Sequence, residues 1–218
     1  MEFSPIRVTT INDEVYDRLH MWIMNGTLSS GAKISTRSIA DSLEVSTMPV
    51  REAFRRLESD GLVVFERRSV RVAILSDHEV LQVFQIRLRL EQLAAEWALE
   101  GVQDDDVVEL EQILDQMDSS DLTFDEWRPL NHRFHRRFYE CAGSPHLLEA
   151  LQSVLDKVEP YMAIYVDSVE DFREAAKQHR EILALIRSRD QDALLAEIAH
   201  HLDSTAVTVL DALARSRR

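Results

Sequence analysis

Glycine and proline are scarce in this chain, at five each in 218 residues. Strand-and-turn architectures use both freely, so their scarcity favours helices. There is one cysteine, Cys141, which excludes an intrachain disulfide framework. No apolar run approaches the ~20 residues that a bilayer-spanning helix needs. The opening MEFSPIRVTT lacks the charged start and apolar stretch of a signal peptide. A cytoplasmic protein with no membrane partner is expected. A glycine-rich phosphate loop and a strand–helix alternation are also missing.

What is present is ordinary in bulk and uneven in distribution. Hydrophobic residues make up 45% and charged residues 29%, as in a typical globular protein. The formal net charge of −14 argues against a nucleic-acid partner until it is located. Residues 1–76 hold ten basic and ten acidic side chains, whereas residues 77–218 hold fifteen and twenty-nine. All the excess acid lies in the back two-thirds, so whole-chain charge says little about what the front third binds.

In the front third, INDEVYDRLHMWIMN places Ile11, Val15, Leu19, Trp22 and Ile23 at helical spacing. GTLSSGAKI interrupts it with two glycines. Thr36 is expected to cap a short helix, RSIADSLEV, with Ile39, Ala40 and Leu43 inward. Ser46 is a second N-cap, and TMPVREAFRRLESDG buries Val50, Ala53, Phe54 and Leu57. Pro49 is tolerated in the first turn, where its missing N–H costs little, and Gly61 is a natural stop. The pattern then turns strand-like: LVVF, a turn at ERRS, then VRVAIL. Three helices and a hairpin predict a winged helix-turn-helix over residues 1–76 that binds double-stranded DNA. The capped second helix of the pair would enter the major groove and present Ser46, Thr47, Met48 and Arg51. Arg37 would reach a phosphate, and Arg67, Arg68, Ser69 and Arg71 would form the wing. Arginine forks pair with guanine or phosphate, which suits both positions.

STRSIADSLEVSTMPVREAFRRLESDGLVVFERRSVRV closely resembles the DNA-binding domain of the GntR family of bacterial transcription regulators, with PVREAFRRLESDGLV the near-complete core of the match. The resemblance implies DNA contacts at Arg37, Ser46, Thr47, Arg51 and the wing. The family often has Arg where this chain has Thr47 and Gly where it has Ser69, which implies an altered operator preference.

Residues 77–218 read as six helices joined by short turns, an antiparallel bundle. The chain is thus expected to be mainly α, a winged helix-turn-helix followed by a helical bundle. In the long helix EVLQVFQIRLRLEQLAAEWALEG, the spacing sets Val83, Ile86, Leu90, Leu93, Ala94 and Trp97 on one inward side. In NHRFHRRF, Asn131 and His135 are four apart and share a face with Phe138, while His132, Arg133, Arg136 and Arg137 are outer or flanking. His179 leads a stripe of Ile182, Leu183 and Ile186. His201 lies on the stripe Leu194, Ile198, Thr205 and Val209, with His200 off it. Three inward histidines and one asparagine fall on three helices. Buried imidazoles need partners, and either neighbouring carboxylates and carbonyls or one shared divalent metal would serve.

The back region is similar to the FCD effector domain of the FadR-like branch of the same family. It shows RLRLE from Arg87, NHRFH, HREILALIRSRD and IAHHL where the family shows R..LE, [D/N]..FH, HR.I..AI...D and M..HL. In metal-binding members the matching positions are ligands, which implies Asn131, His135, His179 and His201 here, holding a divalent ion such as zinc or nickel. Many members carry Asp where this chain has Asn131. An amide ligand brings no charge, so a divalent ion in this site would call for an anion. A small organic acid anchored by Arg87 is therefore the expected effector. A homodimer would set two winged helices on a palindromic operator, usually as a repressor relieved by a metabolite. No enzymatic role is expected, because Glu140 and Glu181 fall off the inward stripes. The rivals are a metal-dependent hydrolase and a structural-metal interaction module.

Overall fold

The computed structural model describes residues 10–67, 69–119, 122–166 and 173–216. The chain clusters into two compact units. One comprises residues up to Leu75 together with Glu159–Ala163, and the other takes the remainder from Ser76 onward.

The first unit contains α1 (Ile11–Met24), β1 (Lys33–Ile34), α2 (Thr36–Ser42), α3 (Thr47–Ser59), β2 (Val63–Phe65) and β3 (Val70–Val72). Helix α1 starts at a reciprocal capping box, with Thr10 and Asp13 satisfying each other's backbone N–H. Its buried Val15, Leu19 and Ile23 meet Val50, Ala53, Phe54 and Leu57 of α3, the face that helical spacing marks out. Two details differ from the sequence reading. The N-cap of α2 is Ser35, not Thr36: Ser35 is extended, its hydroxyl accepts from the Ser38 N–H, and Thr36 is already helical. The sheet also has a third strand. β1 pairs antiparallel with β3 at Lys33↔Arg71 and Ile34↔Val70, giving the order β1-β3-β2. Two residues are too short to show an alternation, so this strand exists only through its pairing.

The second unit contains α4 (Asp77–Gly101), α5 (Asp104–Met117), α6 (Phe124–Glu140), α7 (Pro145–Val166) apart from its Glu159–Ala163 stretch, α8 (Arg173–Ser188) and α9 (Gln191–Ser216). Helix α4 packs on α6 and α9, α5 on α6 and α8, and α8 on α9. Five helices therefore close a ring in the order α4–α6–α5–α8–α9, around a core that includes Ala94, Ala98, Ile113, Phe134, Phe138, Ile186 and Leu202. The acid row of α5 is clamped from both sides. Arg137 of α6 holds Asp106 and Glu109, while Arg180 and Arg187 of α8 hold Asp115, Asp118 and Glu111. Arg189 closes the far end of α4 by donating to the Leu99 and Val102 carbonyls, both at 2.7 Å.

The inner face of α4 is not the one the apolar spacing indicates. Of Val83, Ile86, Leu90, Leu93, Ala94 and Trp97, only Ala94 is fully buried, and Ile86 and Trp97 are 53% and 43% exposed. The buried face instead runs Val80, Phe84, Arg87, Glu91, Ala94, Ala98. Small alanines let α9 and α6 approach closely, and Arg87 and Glu91 neutralise one another one turn apart. A count of apolar residue types misses a face made of alanines and a paired charge.

Candidate metal centre and nucleic-acid interface

Helix α6 brings His135, α8 brings His179 and α9 brings His201 to the middle of the ring. One ring nitrogen of each lies within 4.8 Å of the others. The Nε2 atoms of His135 and His179 are 3.0 Å apart. The ring centroids are 4.9, 5.5 and 5.0 Å apart for the pairs 135–179, 135–201 and 179–201. Two of the outer nitrogens are committed: His179 Nδ1–H donates to the Ala175 carbonyl at 2.5 Å, and His201 Nδ1–H to Gln178 Oε1 at 2.7 Å. Those two donations hold the proton on Nδ1 and leave each Nε2 with a lone pair facing the centre. Phe134 packs edge-on against both His135 and His179, and Trp127 against His179.

Burial, with mutual repulsion and the nearby Arg87 charge, holds His135 and His201 well below the ordinary histidine range. Burial takes His179 down to about 4, against a smaller upward pull from the Ala175 carbonyl and Asp118. All three imidazoles are neutral at pH 7, the form in which they bind a metal. Asn131 sits one turn before His135 on α6. Its Oδ1 is buried without a hydrogen-bond partner among the described residues. Buried acceptors are rarely left unpaired, because doing so costs roughly 1–3 kcal/mol. Three convergent neutral imidazoles, with an orphaned amide oxygen on the residue one turn before His135, are a donor set that fits a divalent cation.

Arg87 is buried on the same side. Its Nε donates to Glu91 Oε1, and Tyr139 O–H donates to Glu91 Oε2 at 2.7 Å. Tyr139 also stacks on His135, with centroids 6.2 Å apart. The terminal amino groups of Arg87 have no partner among the described residues, which leaves one edge of the fork for an anion. Tyr139 and Gln178 escaped the sequence reading, and Glu91 entered it only as the last residue of RLRLE. Glu91 was detectable as an opposite charge four residues after Arg87, whereas Gln178 and Tyr139 carry no signal until α8, α9 and α6 are packed. Glu140 and Glu181 are exposed, and His200 is exposed beside the inward His201.

In the first unit, Arg37, Ser46, Thr47, Met48 and Arg51 are all exposed at the starts of α2 and α3, Met48 by 73%. Arg37 and Arg51 form no ion pair among the described residues. The wing is mixed. Arg67 is exposed, and Arg68 lies outside the described residues. Arg71 and Ser69 are turned to the wing's own structure: Arg71 donates to Glu66 at 2.6 Å and the Gly31 carbonyl at 2.8 Å, and Ser69 to Glu66 at 3.0 Å. No described helix is long and apolar enough to cross a membrane.

Comparison with known proteins agrees with this architecture. Residues 11–72 match the gntR family of bacterial regulatory proteins, and residues 82–204 match the FCD domain. YdhC of Bacillus subtilis, described as an uncharacterized HTH-type transcriptional regulator, is 27% identical over 194 residues, covering 87% of each chain. The gluconate operon transcriptional repressor of Bacillus licheniformis is 24% identical over 201 residues, 88% of this chain and 82% of that one. McbR/YncC of E. coli shares the fold with a TM-score of 0.82 at 21% identity, over 94% of this chain and 99% of that structure. The chain therefore belongs to the GntR family of bacterial transcription regulators, in the FadR-like branch that joins a DNA-binding winged helix to an FCD domain, and it is a regulator rather than an enzyme.

Proposed function

We propose that this protein is a metabolite-responsive repressor that acts as a homodimer on a palindromic operator. Its helical domain, residues 77–218, holds a divalent metal ion, zinc or nickel, through Asn131, His135, His179 and His201. A small carboxylate completes the site against Arg87. The observation that carries the reading is the meeting of three neutral imidazoles, with the Asn131 oxygen one turn before His135 unpartnered among the described residues. Bound metal would supply a positive centre that draws the carboxylate, and the open edge of Arg87 would orient it. DNA contacts fall to Arg37, Ser46, Thr47, Met48, Arg51 and the wing residues Arg67, Arg68, Ser69 and Arg71 within residues 1–76. Of these, Ser69 and Arg71 support the wing's shape through Glu66 as well.

Effector binding acts by favouring one placement of the two winged helices over another, so its reach is set by its differential affinity for the two states. The test is elemental analysis of the purified protein, followed by thermal melting with added Zn²⁺ in wild type and His135→Ala. At a hundredfold excess over Kd, the ion stabilises the wild type by about 2.7 kcal/mol. The variant loses that gain. Absence of any bound ion, together with an identical Zn²⁺ response in His135→Ala, rejects the metal centre.

A further inference from the structure

The groups that orient the imidazoles are themselves uncharged. His179 leans on a backbone carbonyl and His201 on the side-chain amide of Gln178. Gln178 is buried and directly precedes His179, so one turn of α8 supplies both an imidazole and the acceptor that aims a second one. Carboxylates are the common acceptors behind metal-binding histidines, yet among the described residues none touches these three. Glu91, the buried carboxylate nearby, has one oxygen on Arg87 and the other on Tyr139. Asp118 is ion-paired to Arg180. The donors, Asn131 included, are neutral as well, so no described residue in contact with the imidazoles offsets a double positive charge.

We infer that Gln178 is a positioning residue with two effects: it fixes the His201 ring with Nε2 toward the centre, and it keeps the surroundings uncharged so that charge balance falls to an incoming carboxylate. This inference rests on the proposed metal centre. An acid at position 178 would orient His201 equally well but would supply internally the negative charge that the effector otherwise brings. The choice of amide over acid therefore couples ion and anion binding.

The experiment is Zn²⁺ competition against a chromophoric chelator with the full-length protein, in the presence and absence of acetate as the minimal carboxylate. It compares wild type, Gln178→Ala and Gln178→Glu, with helical content checked by circular dichroism. Gln178→Ala should weaken Zn²⁺ about 10–100-fold, the usual effect of removing a group that orients a ligand. Gln178→Glu should bind Zn²⁺ at least as tightly as wild type, a rescue that a merely space-filling role would not give. Acetate should tighten Zn²⁺ in wild type and do so less in Gln178→Glu. If wild type takes up no Zn²⁺, the metal centre itself fails. If wild type binds Zn²⁺ and Gln178→Ala binds it equally well, the positioning role is overturned. If acetate has no effect on wild type, or the same effect on Gln178→Glu, the charge-balance role is overturned.

Discussion

At the scale of single residues, burial is what makes the histidines chemically distinct. His179 titrates at about 4 when folded, against an ordinary value of 6.5. Between those values the unfolded chain holds a proton that the folded one does not, so stability falls as pH drops through that window and is level above it. His135 and His201 shift in the same direction. Chelator-treated protein should therefore melt lower at pH 5 than at pH 7.5. In His179→Gln that dependence should be shallower, whatever the variant's absolute midpoint. Equal pH slopes in the two proteins would contradict a buried neutral His179. Asn131 teaches the complementary lesson: its amide is legible as an inward residue, but only the packed structure leaves its oxygen without a partner among the described residues.

At the scale of elements, the site depends on how closely α4 and α6 approach, since they carry Arg87 and His135. Gly101 ends α4 against the end of α6, where an added Cβ would collide with the Cys141 carbonyl oxygen. That neighbour is backbone and cannot swing aside. Gly101→Ala should cost about 1–3 kcal/mol, the range for forcing extra volume into a packed contact, measured by urea unfolding. It should also weaken Zn²⁺ binding by displacing His135. A variant as stable as wild type would mean that the helix ends are free to part. The clamping of α5 by arginines of α6 and α8 likewise turns the excess acid of the back region into inter-helix pairing.

At the scale of the whole molecule, the proposed homodimer would use the outer side of α4, where Ile86 and Trp97 are exposed and Val83, Leu90 and Leu93 are half-buried, the two leucines partly against the helical core. Val83, Ile86, Leu90, Leu93 and Trp97 recur at alternating steps of three and four, the spacing of a helix-pairing seam. Arg89 and Glu96 lie seven apart along one flank. In an antiparallel pairing of two copies about a twofold axis, Arg89 of each meets Glu96 of the other, so the seam complements itself. Ile86→Glu would place a charge in that seam. Sedimentation should then show a dimer for wild type and a monomer for the variant, with operator affinity falling because each half-site is bound alone. A variant that remains dimeric would rule this face out.

Much of the protein is determined by local sequence. Capping residues, helical spacing and the scarcity of glycine and proline specify the helices, and the Val50, Ala53, Phe54 and Leu57 face of α3 is legible because one strong period has one burial solution. The three histidines are likewise legible as inward, since each lies on an apolar stripe of its own helix. Other features are non-local and were decided only by tertiary structure. Two-residue β1 exists through its pairing with β3. The buried face of α4 follows from close alanine packing and the Arg87–Glu91 pair, which outweigh the richer apolar stripe beside them. Gln178 acquires a role when α8 and α9 meet, because a hydrogen bond across 23 residues has no signature in either helix alone. Periodicity states which side of a helix turns inward, whereas the identity of what it meets there depends on closing the ring.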